Sequence, residues 1–148
     1  MTGIAAFVAL PGSDRRLLLQ ALATLVAVRL ALRLVPVDRL RRPAGPVRAG
    51  ARPAERIAWA VRAASRRLPG TTCLASALAA QRLLSRAGHV CELTIGVARD
   101  DSGFAAHAWV VCEGVTLVGG DESVDYTPLV AWSSRTAARP DGAAPDRT

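Results

Sequence analysis

The chain has 148 residues, the length of one domain, enough to bury roughly two-thirds of its unfolded surface without staples. Apolar residues make up 51% and charged residues 21%, which excludes a wholly disordered chain; aromatics are only 4%, so Ala, Leu and Val must build the core. The formal net charge of +7 rests on arginine alone, since the chain has no lysine, and it is unevenly spread. Residues 1–67 hold 13 Arg against Asp14, Asp38 and Glu55, a net +10, whereas residues 68–148 hold 6 Arg against 9 acids, a net −3. That division reads as a basic docking half and a chemical half. Three cysteines, an odd count with no CxxC pair, fit a reducing, cytoplasmic setting.

The first apolar run, Leu17 to Val28, is followed by Arg29 and Arg33 and falls short of the roughly 20 residues a membrane span needs. Asp14, Arg15 and Arg16 follow an apolar start, the wrong order for a signal peptide. The run predicts a helix from Ser13 or Asp14 to Leu34, ended by Pro36 and packed on the domain; a membrane-surface or partner-binding helix is the alternative. Residues 36–54, with four prolines, two glycines and five arginines, predict a linker. A second helix is expected over Ala54–Leu68, with Ile57, Val61, Ala64 and Leu68 on one face and Pro69-Gly70 as its stop. A third starts at a Thr71 or Thr72 cap, carries Leu74, Leu78 and Leu84, and closes at Gly88.

After Gly88 the period changes from helix to strand. Over residues 89–97, Cys91, Leu93, Ile95 and Val97 alternate with Val90, Glu92, Thr94 and Gly96. A turn at 99–103 leads to a strand over Phe104–Cys112, a hairpin at Glu113-Gly114 and a third strand over Val115–Val118. A polar loop from Gly119 to Asp125 precedes a short last strand, Tyr126–Trp132, and the tail from Ser133 has nothing to bury and reads as disordered. Helices followed by consecutive strands predict an α+β fold with an antiparallel sheet. The expected organisation is a docking helix and linker (1–53), a catalytic domain (54–132) and a tail (133–148).

Cys73 lies in the first turn of the third helix, where unpaired N–H groups and the helix dipole favour negative charge on sulfur. Alone, such a cysteine is more often structural. Cys91 and Cys112, inside and at the end of strands, read as packing residues. His107 sits in the middle of the strand FAAHAWVVC, where an imidazole fills an apolar core poorly. Held on a strand opposite a helix-start cysteine, it completes a Cys–His pair for nucleophilic catalysis; a satisfied core histidine is the alternative. His89, at the start of a strand, is expected to face solvent. A third group must orient the imidazole, and Asp121, Glu122 and Asp125 are the candidates. Asp121 comes first after the third strand and is preferred, against the plainer reading of a solvated acidic loop. The Cys73 backbone N–H would hold an oxyanion, while the second donor is not legible and Gln81 lies too far along the helix.

Nothing in the chain cradles a nucleotide phosphate, so no cofactor is expected. The cysteines and histidines lack the paired short-range ligands of a zinc site. The arginines are dispersed without interleaved aromatics, which argues against nucleic acid as a partner.

The stretch CLASALAAQRLLSRAGHVCELTIGVARDDSGFAAHAWVVCEGVTLVGG, with RIAWAVRAASRRLPGTTC leading into it, resembles the transglutaminase-like cysteine peptidases of lasso-peptide biosynthesis. These are the free-standing leader-peptidase halves of the pathway's B protein, related to the microcin J25 processing protein. The likeness covers roughly Arg15 to Leu129. It implies a transglutaminase-like, papain-like core that removes the leader from a ribosomally made precursor, with Cys73 as nucleophile and His107 as general base. It also implies as partners the precursor peptide, a separate leader-recognition protein and an asparagine-synthetase-like cyclase; the lack of a leader-recognition domain in this chain fits that split arrangement. The acid expected a dozen or so residues after the histidine meets Gly119-Gly120 first, so either Asp121 takes that place through a longer loop or the third member is replaced. A non-catalytic scaffold for peptide and cyclase, and an acyltransferase that resolves an acyl-enzyme with an amine, are the competing functions. The basic half, residues 13–67, is expected to dock partners and to make a peripheral membrane contact.

Overall fold

A computed structural model describes residues 2–40, 52–100, 103–120 and 126–133. Among the described residues five helices precede four strands: α1 (Thr2–Ala9), α2 (Gly12–Leu34), the one-turn α3 (Val37–Leu40), α4 (Ala54–Arg67), α5 (Cys73–Arg86), β1 (Cys91–Asp100), β2 (Gly103–Cys112), β3 (Val115–Val118) and β4 (Thr127–Ser133). The strands form one antiparallel sheet in the order β3-β2-β1-β4, the expected α+β fold. The helices begin and end where local chemistry directs. Val35, before Pro36, leaves α2 in an extended conformation, φ −135° and ψ 136°. At the end of α5 the Gly88 N–H donates to the Ser85 carbonyl and the His89 N–H to the Leu84 carbonyl, the Schellman pattern that the left-handed Gly88 (φ 86°) permits. The expected linker over 36–54 is corrected at its start, where Val37–Leu40 forms the one-turn α3 behind Pro36 and buries Leu40; its part at 41–51 and the tail beyond Ser133 lie outside the described residues.

Alanine sets the packing. Ala58, Ala60, Ala63 and Ala64 of α4 and Ala75, Ala77, Ala79 and Ala80 of α5 are all buried, so the helix backbones approach closely. Leu25, Ile57, Val61, Leu78, Leu84 and Leu93 fill the space between, and the same cluster continues into Val110 and Val118 of the sheet. Helix α2 belongs to this core through Leu17, Leu18, Ala21, Leu25 and Val28, and it packs on α4 and α5. Buried Asp14 accepts a two-pronged hydrogen bond from Arg56, whose Nε lies 3.1 Å from Oδ1. That bond raises the Arg56 pKa, and the guanidinium also lies over the Trp59 ring at 4.7 Å.

The opposite face of α2 leaves Leu19, Val26, Leu30 and Leu34 exposed. At 23 residues α2 is long and apolar enough to cross a membrane by length and composition, with 28% of its most apolar stretch buried. The helix runs through Arg29 and Arg33 to Leu34 as expected, and it is the whole helix, not the twelve-residue run, that reaches a spanning length.

The β1–β2 register places Cys91 directly opposite Cys112, and the two form a disulfide with Cα atoms 4.3 Å apart. The reading of both as packing cysteines is thereby corrected, leaving Cys73 as the free thiol. His89 is also not the solvent-facing residue expected. It is half-buried, and its Nε2 lies 2.7 Å from the Arg52 carbonyl, tying the start of the sheet to the segment before α4.

Two measurements check the disulfide. Without reductant the unfolded chain should titrate one thiol, and after reduction three. Replacing both Cys91 and Cys112 with Ser should lower unfolding free energy in urea by about 3 kcal/mol, the loop-closure value for a crosslink of this span.

Candidate active site

Three contacts fix the start of α5. The Thr72 hydroxyl caps the helix, accepting from the Ala75 N–H at 3.2 Å. Arg29 of α2 donates to the Pro69 carbonyl at 3.0 Å, anchoring the turn that leads into the cap. Ser65 of α4 bonds its hydroxyl to that of Ser76 at 2.9 Å, one turn into α5. Cys73 is the first residue of the helix and its side chain is exposed. Its N–H, like the others of a first helical turn, has no acceptor within the helix and faces outward as a donor.

His107 lies on β2 opposite Gly96 of β1 and is 8% exposed. Ala108 and Val110, which alternate onto the other face of β2, belong to the core cluster. The ring is flanked by Trp109, stacked at 6.0 Å between centroids, and by Tyr126 at 5.2 Å. Gly96 makes room for this arrangement: a Cβ there would fall 2.7 Å from Trp109 Cη2 and 2.8 Å from the Thr127 carbonyl. His107 Nε2 lies 2.9 Å from the Gly119 carbonyl oxygen. A carbonyl only accepts, so Nε2 carries the hydrogen in the neutral ring and Nδ1 is the basic nitrogen.

Cys73 and His107 line one cavity of about 520 Å³, together with Thr71, Thr72, Ser76 and Tyr126. Arg62 of α4 reaches across to donate to the Leu117 carbonyl at 3.0 Å and closes another wall. The two residues that the sequence pairs for chemistry are thus in the same space. Asp121, Glu122 and Asp125 lie outside the described residues; the cavity wall runs through Gly119 and Gly120 on one side of them and Tyr126 on the other. Gln81 is buried in α5 and donates to the Trp132 carbonyl at 2.9 Å, a tie between α5 and β4 and not an oxyanion donor. Among the described residues no three of His, Cys, Asp and Glu gather as they would around a metal ion.

The sequence reading did not single out Tyr126, Arg62 or the Gly119 carbonyl. Tyr126 carried a strand signal only. Arg62 is one of many arginines on an amphipathic helix, and a carbonyl has no signature in a sequence. The arrangement of a free cysteine at a helix start and a histidine on the second strand suits nucleophilic attack on a carbonyl, with the imidazole as proton acceptor.

Comparison with known families agrees with this geometry. The model of the transglutaminase-like superfamily core matches residues 17–131, from α2 to β4. No curated protein and no solved structure matches the chain.

A pairing of Cys73 with His107 predicts a kinetic coupling. Alkylation of Cys73 by iodoacetamide at neutral pH should slow by about tenfold or more in a His107→Ala variant, because the proton acceptor is gone. Mass spectrometry of the labelled chain reads the rate directly.

Proposed function

We propose that this chain, which belongs to the transglutaminase-like superfamily, is a cysteine peptidase that removes the leader from a lasso-peptide precursor. The observation that carries the peptidase reading is the shared cavity of Cys73 and His107. The narrower assignment is supported by the likeness of the segment around Cys73 and of the AHAWV strand to the leader peptidases of lasso-peptide biosynthesis.

In this reading the Cys73 sulfur attacks the scissile carbonyl while His107 Nδ1 takes the thiol proton. The oxyanion of the tetrahedral intermediate forms beside the Cys73 N–H at the positive end of α5. Collapse breaks the C–N bond, and the imidazolium gives its proton to the departing amine, which becomes the N-terminus of the core peptide. Water, deprotonated by the same imidazole, then attacks the thioester and releases the leader as a carboxylic acid. Thr71, Thr72 and Thr116 offer hydroxyls along the cavity to a peptide backbone.

A separate leader-recognition protein and an asparagine-synthetase-like cyclase are the proposed partners. The arginines of residues 13–67 and the exposed apolar strip of α2 support docking of an acidic protein partner there. Cytoplasm is the compartment where such precursors are made, and there the Cys91–Cys112 pair would meet a reducing pool.

Incubating the protein with a cognate precursor and recognition protein should yield a free leader ending in a carboxylic acid. Cys73→Ala should reduce its formation at least ~10³-fold, the scale of losing a covalent nucleophile. Undiminished cleavage by Cys73→Ala rejects the peptidase reading, and a leader whose C-terminus is an amide to an added amine identifies acyl transfer instead.

A further inference from the structure

We propose that a second cavity, at the far end of α5 from Cys73, is the pocket in which a partner protein docks, and that it takes a segment with a large apolar side chain beside a carboxylate. The proposal rests on the docking role given above to residues 13–67 and names its place and chemistry; it does not rest on the chemistry of Cys73. The cavity holds about 330 Å³ where α2, the approach to α4 and the last turn of α5 meet. The length of α5, about 20 Å, separates it from the thiol, so a group seated there does not reach the reacting centre.

Its lining is apolar at the base and cationic at the rim. Leu17, Ile57 and Leu83 are buried core residues, while Arg86 is exposed and Arg52 half-buried. Arg52 is held at two points: its carbonyl lies 2.7 Å from His89 Nε2, and its Nη1 donates to Gln20 Oε1 at 3.3 Å. A guanidinium has five N–H donors, so the bond to Gln20 leaves others for a ligand. No acid is among the lining residues, and Glu55 sits about 200° around α4 from Ile57. The sequence just before Arg52, residues 41–51, adds three arginines and no acid.

A bare anion would leave this base unfilled, and a purely apolar group would cover the arginines without pairing them. A Leu- or Phe-sized side chain with Glu or Asp beside it satisfies both parts, the carboxylate taking paired N–H groups from an arginine. The volume is at the small end of the roughly 300–1,000 Å³ of ligand pockets, the size for a side-chain anchor. Gln20 follows Leu19, the start of the exposed apolar strip of α2, so one protein surface can cover strip and pocket together. The two long segments outside the described residues lack the required pair: 41–51 has no acid, and 134–148 has no branched or aromatic apolar side chain.

The full-length chain with ¹³C-labelled Leu and Ile methyl groups tests this by NMR, with the N-acetyl dipeptide amides Leu-Glu and Leu-Gln as probes. At millimolar concentration Leu-Glu should shift the Leu17, Ile57 and Leu83 methyl signals and bind about tenfold more tightly than Leu-Gln, the worth of one charge-assisted hydrogen bond. Arg86→Gln, at an exposed position, should keep the wild-type spectrum and lose most of that preference; Arg52→Gln should do the same. Unmoved methyls, equal affinity for the two probes, or a preference unchanged in both variants overturns the proposal. A cognate leader-recognition protein should shift the same methyls in the wild type and bind about tenfold more weakly to Arg86→Gln. A recognition protein that leaves these methyls unmoved overturns the pocket's role, and if it still binds, docking elsewhere on residues 13–67 stands. Shifts produced by the precursor alone overturn the assignment to a partner protein. None of these readings needs cleavage, so they are independent of the outcome with Cys73→Ala.

Discussion

The distance between the start of α5 and the face of β2 governs this structure, and small side chains set that distance. Ala75, Ala77, Ala79 and Ala80 bring α5 against its neighbours with almost no side-chain spacer. A core with only 4% aromatic residues has few bulky groups with which to adjust such a gap. Adding one or two methylenes to this seam would push the helix outward, and close-packed interiors absorb such changes by moving backbone. Displacements on the scale of an ångström are enough to change the shape of the cavity that Cys73 and His107 line. That cavity therefore depends on residues that carry no chemistry.

The N-terminal helix contributes to the same requirement. Arg29 of α2 fixes the Pro69 carbonyl, the turn that precedes the Thr72 cap, while the buried Asp14 holds α4 through Arg56. The side chains of α2 supply core and anchors on one face and an exposed apolar strip on the other. The family match begins at Leu17, inside this helix, so its buried face is part of the shared core. Part of the basic charge in the first half of the chain is internal: Arg29, Arg56 and Arg62 bind carbonyls and a carboxylate within the fold.

Much of the fold was legible because it is written in local chemistry. The Thr72 cap, the Gly88 stop and the period change after it each act within a few residues, and α5 and β2 lie where those signals put them. Cys73 and His107, which line one cavity, stood out for a related reason, since both are unusual in their local settings. Long-range register was not. The Cys91–Cys112 bond depends on a one-to-one alignment of two strands that a single residue of slip would undo. In the same way the contact between His89 and the Arg52 carbonyl joins segments that have no sequence relation. The Gly119 carbonyl at His107 Nε2 is of the same kind, since a peptide carbonyl has no side-chain signature to search for in a sequence.

Two glycines mark where the histidine's surroundings are tightest. Gly96 lies beneath the Trp109 ring and Gly119 against the edge of His107, and at each a Cβ would intrude to within 3 Å of its neighbours. Glycine in strands and at strand ends lowers stability, because it adds conformational freedom to the unfolded chain and buries no side chain. Here that loss coincides with an imidazole held on three sides by Trp109, Tyr126 and a fixed carbonyl. A ring confined in this way has little rotational freedom left to lose, so its orientation is set by the fold and not by what enters the cavity. An exposed, capped cysteine and a confined histidine thus line the same cavity.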